Sequence, residues 1–98
     1  MRLDTAARAV REIERCARWW RANRPLAPDL FEQDLARALE QIRTAPGLGA
    51  IYEATPRREH RRIPMPRTRY HVYYRILAPD HVLVVSVWSA VRGRGTAL

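Results

Sequence analysis

Residues 69–77, Arg-Tyr-His-Val-Tyr-Tyr-Arg-Ile-Leu, constrain this chain more than any other stretch. In extended form Tyr70, Val72, Tyr74 and Ile76 point to one side, and Arg69, His71, Tyr73 and Arg75 to the other. A helical winding would scatter both sets around its circumference. The stretch is therefore a strand with one apolar and one cationic face. The apolar face demands a cover from elsewhere in the chain, and the cationic face calls for an anionic partner.

The cover comes from the first half. Ala6, Ala9, Val10, Ile13, Cys16, Ala17 and Trp20 recur at helical spacing, with Arg8, Arg11, Glu12, Arg15 and Arg18 on the opposite side. Asp4 or Thr5 is placed to cap this helix, and Pro25 ends it. Pro28, Asp29 and Glu32 suit the start of a second helix, whose stripe is Phe31, Leu35, Ala38, Leu39 and Ile42. A short connection makes the two an antiparallel hairpin. Residues 47–56 read as a loop anchored by Leu48, Ile51 and Tyr52. Residues 57–65 form a strand that Pro64 restricts to an edge or a bulge, and 81–89 form a last strand, apolar on both faces. Residues 1–4 have the makings of a brief first strand, and 90–98 are a tail. The expected class is α+β, a (β)ααβββ order in which a helical hairpin covers one face of a small antiparallel sheet, and 98 residues make one domain, 1–98.

Charge marks the other face. Residues 1–53 hold nine Arg against eight acids, whereas residues 54–98 hold nine Arg against two. A GC-rich codon bias explains why every cation is Arg and none is Lys; it does not explain this asymmetry. Arg57, Arg58, Arg61, Arg62, Arg67, Arg69 and Arg75 face a single acid, Glu59, with His71 and Tyr73 among them. Guanidinium for phosphate or carboxylate, and an aromatic ring for stacking, suit a nucleic acid or an acidic protein. Arg61, Arg62, His71, Tyr73, Arg75 and Arg92 are the candidate target-binding residues.

Other chemistries find little support. His60, His71 and His81 are scattered with no second ligand at metal-binding spacing, no glycine-rich phosphate loop precedes a helix, and neither metal nor cofactor is expected. The single cysteine, Cys16, forms no internal disulfide and fits a reducing compartment. No apolar run nears the ~20 residues that span a bilayer, and residues 1–4 lead into no secretory signal, so a cytoplasmic protein is expected.

The motifs also resemble a family. Trp19-Trp20…Asn23-Arg24-Pro25, Phe31…Leu35…Leu39, Ala45-Pro46-Gly47…Gly49, Arg61-Arg62…Pro66…Tyr70-His71-Val72-Tyr73-Tyr74-Arg75 and Val85…Val87-Trp88-Ser89-Ala90…Arg92-Gly93 resemble, in order and spacing, the toxins of the RelE/ParE superfamily, most of all its ParE (plasmid-stabilisation) branch. The resemblance implies the toxin of a type II toxin–antitoxin module, neutralised by a small acidic antitoxin in a hetero-oligomer. It implies one of two activities. RelE-like members cut mRNA on the ribosome with basic residues and a Tyr or His on the sheet and near the C-terminus; ParE-like members bind and poison DNA gyrase. The nuclease pattern carries over poorly. The strand position that holds an Arg in RelE-like members is His71 here, the cationic position on the last strand falls near Ser89 and Ala90, and the late Tyr falls near Thr96. Gyrase inhibition is therefore the expectation, with no catalytic residue; the alternatives are an endoribonuclease built on His71, Arg62 and Arg75, or a non-toxic interaction module on the same fold.

Overall fold

The computed structural model describes residues 1–91 and 96–98. Its elements run β1 (Arg2–Thr5), α1 (Ala7–Asn23), α2 (Leu30–Thr44), a 3₁₀ turn (Pro46–Leu48), β2 (Ala50–Ala54), β3 (Glu59–Met65), β4 (Tyr70–Ala78) and β5 (His81–Ser89). The strands form one sheet in the order β1-β5-β4-β3-β2. The two helices pack on one face of it, which is the expected α+β arrangement.

The helices follow their apolar stripes. Ala9 and Ala17 of α1, and Phe31, Leu35, Ala38 and Ile42 of α2, close on Ile63, Met65, Val72, Tyr74, Val82, Val84 and Val87 of the sheet. Phe31 meets Tyr70 edge-on at 5.1 Å between ring centres. Start signals differ from expectation. Ala6 occupies the N-cap of α1 with no side-chain hydrogen bond, because Asp4 and Thr5 belong to β1. Asp4 instead binds His81 and Arg2, each at 2.8 Å.

Three features of the sheet depart from the sequence reading. Residues 50–54 are a fifth strand rather than loop, paired antiparallel with residues 59–62 of β3. That pairing stops before Pro64, so the missing N–H falls where β3 has no outer neighbour. The central strand starts at Tyr70, because Arg69 adopts φ 65° and turns the chain out of the β3–β4 connection. Finally, Tyr73 pairs with Ser86 and Tyr74 with Val84, which leaves Val85 as a bulge. The extra residue breaks the alternation of β5 and carries Val87 onto the helix side beside Val82 and Val84. On β4 the helix-side row holds for Val72 and Tyr74 but not for Ile76, which is 39% exposed beyond the reach of the hairpin.

A buried carboxylate ties the helices to the strand connection. Asp34, on the apolar stripe of α2, accepts hydrogen bonds from the backbone N–H of Arg67 at 3.1 Å and of Thr68 at 2.8 Å, and from the Thr68 hydroxyl at 2.8 Å. At the other end of the sheet, Tyr74 donates its hydroxyl proton to Pro46 O at 2.5 Å and accepts the Gly49 N–H at 3.0 Å. Gly49 is required there by space: a Cβ would lie 2.1 Å from the Tyr74 oxygen.

Candidate functional site

Alternation along β3 and β4 decides which cations share a face. Arg62 pairs with Tyr73 and Pro64 with His71, away from the helices, whereas Arg61 pairs with Tyr74 on the helix side. Arg61 and Arg62 are therefore on opposite faces. The Arg61 guanidinium binds Gly47 O at 3.1 Å, Gly49 O at 2.8 Å and the Glu59 carboxylate at 3.0 Å. It is a brace for the turn before β2, on the face opposite Arg62.

Arg62, His71 and Tyr73 do meet. The Tyr73 ring lies 6.0 Å from the His71 ring and 4.8 Å from that of Tyr52, both edge-on, and the Arg62 guanidinium stacks 5.1 Å above Tyr52. Arg75 lies further along β4 on the same side, close enough to His60 to affect its charge. Arg92 falls outside the described residues. Tyr73 is 1% exposed, so the residue expected to offer a stacking surface is covered.

Electrostatics sharpen the picture. Of the seven arginines from Arg57 to Arg75, Arg61 alone forms an ion pair with a carboxylate among the described residues. Burial, and then the Arg62 guanidinium, hold the His71 imidazole below its ordinary pKa. Burial, followed by Arg75, does the same to His60 against an opposing pull from Glu53. Both rings are thus biased to the neutral form, and the positive charge of this face is guanidinium charge. No group of three or more metal-ligating side chains occurs among the described residues.

What covers Tyr73 was not legible beforehand. Tyr52 reaches it from β2, where the sequence predicts a loop. The last residues arrive from the other side: Thr96, 4% exposed, accepts the Tyr52 hydroxyl proton on its carbonyl at 3.3 Å and lies 3.3 Å from the Ser86 hydroxyl. Leu98 lines a cavity of about 190 Å³ with Glu53, Thr55, Arg58 and His60. The only advance signal was the polar Ser86 inside an otherwise apolar strand.

A helical hairpin on one face of a five-stranded sheet, with Arg62 and Arg75 on the other, defines the fold of this protein. The sequence places it more closely: residues 3–93 match the family described as ParE toxin of type II toxin-antitoxin system, parDE, and the chain belongs to that family. Among solved structures, a chain of the chromosomal ParDE system from P. aeruginosa superposes with a TM-score of 0.69 at 13% identity, covering 91% of this chain and 95% of that one. The isolated E. coli RelE toxin gives 0.60 at 23% identity, over 94% of this chain and 86% of its own. At such identities these structures speak for the fold alone. No curated protein sequence matches the chain. No helix among the described residues is long and apolar enough to cross a membrane.

Proposed function

We propose that this ParE-family chain arrests growth by binding DNA gyrase in the cytoplasm, and that a small acidic antitoxin neutralises it within a hetero-oligomer. One observation carries the choice of binding over cleavage. The outer face offers Arg62 and Arg75 as cations, and the His71 imidazole beside them is flanked by a guanidinium rather than by an acid that would complete a proton relay. Such a surface grips anionic groups; it is poorly equipped to move protons at a phosphodiester.

A second reading, a ribosome-dependent endoribonuclease, draws on the grouping of His71 with Arg62. A neutral imidazole is able to take a proton from a 2′-hydroxyl while Arg62 and Arg75 neutralise the phosphate. Induction of the chain alone, with a DNA-damage reporter and a primer-extension assay on abundant mRNAs, separates the two. Growth arrest with the damage response and intact messages is expected. Arrest with codon-phased cuts and a silent reporter would overturn the gyrase reading, and loss of that cutting in His71→Ala would establish the alternative.

A further inference from the structure

Four hydrogen bonds hold the C-terminal residues against the outer sheet face. Arg8, reaching from α1 past the end of β1, donates to the Thr96 hydroxyl and to Ala97 O. The Tyr52 hydroxyl donates to Thr96 O at 3.3 Å. The fourth joins the hydroxyls of Thr96 and Ser86 at 3.3 Å. Ser86 has one proton, and the Glu12 carboxylate at 2.9 Å is its better acceptor. The Thr96 hydroxyl therefore donates to Ser86 and accepts from Arg8, which satisfies every group in the set. Glu12 is itself fixed by the Val87 N–H at 3.1 Å.

This anchorage sits where it matters. Ser86 is the register partner of Tyr73, and Tyr52 is the ring that meets Tyr73 edge-on. Thr96 is thus held between the two groups that flank the buried tyrosine. From there the chain continues to Leu98, beside His60 and Arg58. The segment carries no charged side chain, so it screens the aromatic centre of the face while adding nothing that an anionic partner would seek.

We infer that Thr96–Leu98 is an autoinhibitory strap: clasped by Arg8, Ser86 and Tyr52, it closes the outer sheet face, and the target engages Tyr73, His71 and Arg62 only when the strap lifts. This rests on the outer face being the target surface, as proposed above. Affinity is then reduced by the fraction of molecules in which the strap is open, and loosening the clasp strengthens binding. The clasp residue Arg8 belongs to α1, so a partner carboxylate that draws its guanidinium away would change the state of the opposite side of the sheet.

The test compares the parent chain with Thr96→Val, which keeps the shape and loses both hydroxyl contacts, with Thr96→Ser, which restores them, and with Tyr52→Phe, which loses one bond and keeps the ring. Two quantities are read on folded protein: tetranitromethane modification of Tyr73, mapped by peptide mass spectrometry, and inhibition of gyrase supercoiling. The inference expects Tyr73 to become reactive in Thr96→Val, with inhibition at roughly tenfold lower concentration, a smaller change in Tyr52→Phe, and parental behaviour in Thr96→Ser. Tyr73 staying protected in both loosened variants overturns the strap. A reactive Tyr73 with unchanged or weaker inhibition overturns its inhibitory role, since the segment would then be part of the binding surface. Should no form inhibit gyrase, that target is wrong, and the strap is judged on growth: Thr96→Val must arrest cells at lower induction than the parent, and equal arrest, or none from either, overturns it.

Discussion

Asp34 and Thr68 are joined twice, by the backbone N–H and by the hydroxyl of the threonine, both at 2.8 Å from the same carboxylate oxygen. The contact links the middle of α2 to the turn that opens the central strand, and it is buried at both ends. Replacing Asp34 by Ala leaves two backbone donors and a hydroxyl without partners inside the protein. The expected loss is about 2–4 kcal/mol, read as a lower urea midpoint with an unchanged slope. Asp34→Asn, which keeps one acceptor oxygen, should fall between the two.

Arg61 and Arg62 are neighbours with opposite roles. Arg61→Ala abandons two carbonyls and an ion pair around the turn before β2, and should lower stability by about 1–3 kcal/mol. Arg62→Ala removes only a cation stacked on Tyr52 and should shift stability by about 1 kcal/mol or less. In growth assays at matched protein levels the ranking reverses: Arg62→Ala and Arg75→Ala relieve arrest, whereas Arg61→Ala does so only in proportion to its loss of folded protein. Thermal melts alongside induction titrations check both halves.

Gly49 fits under Tyr74 only because it has no side chain. In Gly49→Ala the new methyl would approach the Tyr74 oxygen to 2.1 Å, and a fully buried ring has no room to retreat. A destabilisation of about 2–4 kcal/mol is expected. Tyr74→Phe, which loses the bonds to Pro46 and Gly49 without a clash, should cost about 1–2 kcal/mol. Chemical denaturation of the two variants should rank them in that order.

The two cationic-face histidines give stability a pH slope. Both are held below the ordinary imidazole pKa of 6.5 in the folded chain, mainly by burial. Between that value and the depressed ones the unfolded state binds more protons, so stability falls as pH drops through this window and is fully present above it. The melting temperature should decline from pH 7.5 to 5. His60→Gln and His71→Gln should each flatten the decline, even where they lower stability at pH 7.5.

Asp4 acts at a lower pH with the same sense. Its hydrogen bond to His81, and to a lesser degree Arg2, depress its pKa below the usual 3.8. Its contribution is present above that ordinary value and disappears as pH falls through the depressed one. The difference in melting temperature between the parent and Asp4→Asn should therefore be constant near pH 5 and vanish at the acid end of the titration.

Elements with a strong period were readable. The stripes of α1 and α2 and the alternation of Val72, Tyr73 and Tyr74 each reported their face, because a single residue's shift would have exposed a row of apolar groups. Where local pattern was weak, tertiary context decided. Ala50–Ala54 is too short and too exposed to announce a strand, and it becomes one only because β3 offers a free edge. The bulge at Val85 could not be seen in a run apolar on both faces. The expected surface was legible as a concentration of arginine but not as a shape. Arg61 and Arg62 are adjacent in sequence yet stand on opposite faces, and nothing local tells that Tyr52 and Thr96, 44 residues apart, converge on Tyr73.

The parallel pairing of β1 with β5 sets a timetable. Arg2–Thr5 align with His81–Val84, so β1 has no strand beside it until β5, which follows every other element in the chain, has been made. The sheet cannot be completed on the ribosome while that segment remains in the exit tunnel, and long-range pairings of this kind form slowly. β1 is therefore the last element to find its place, and whatever depends on the finished sheet waits for the synthesis of β5.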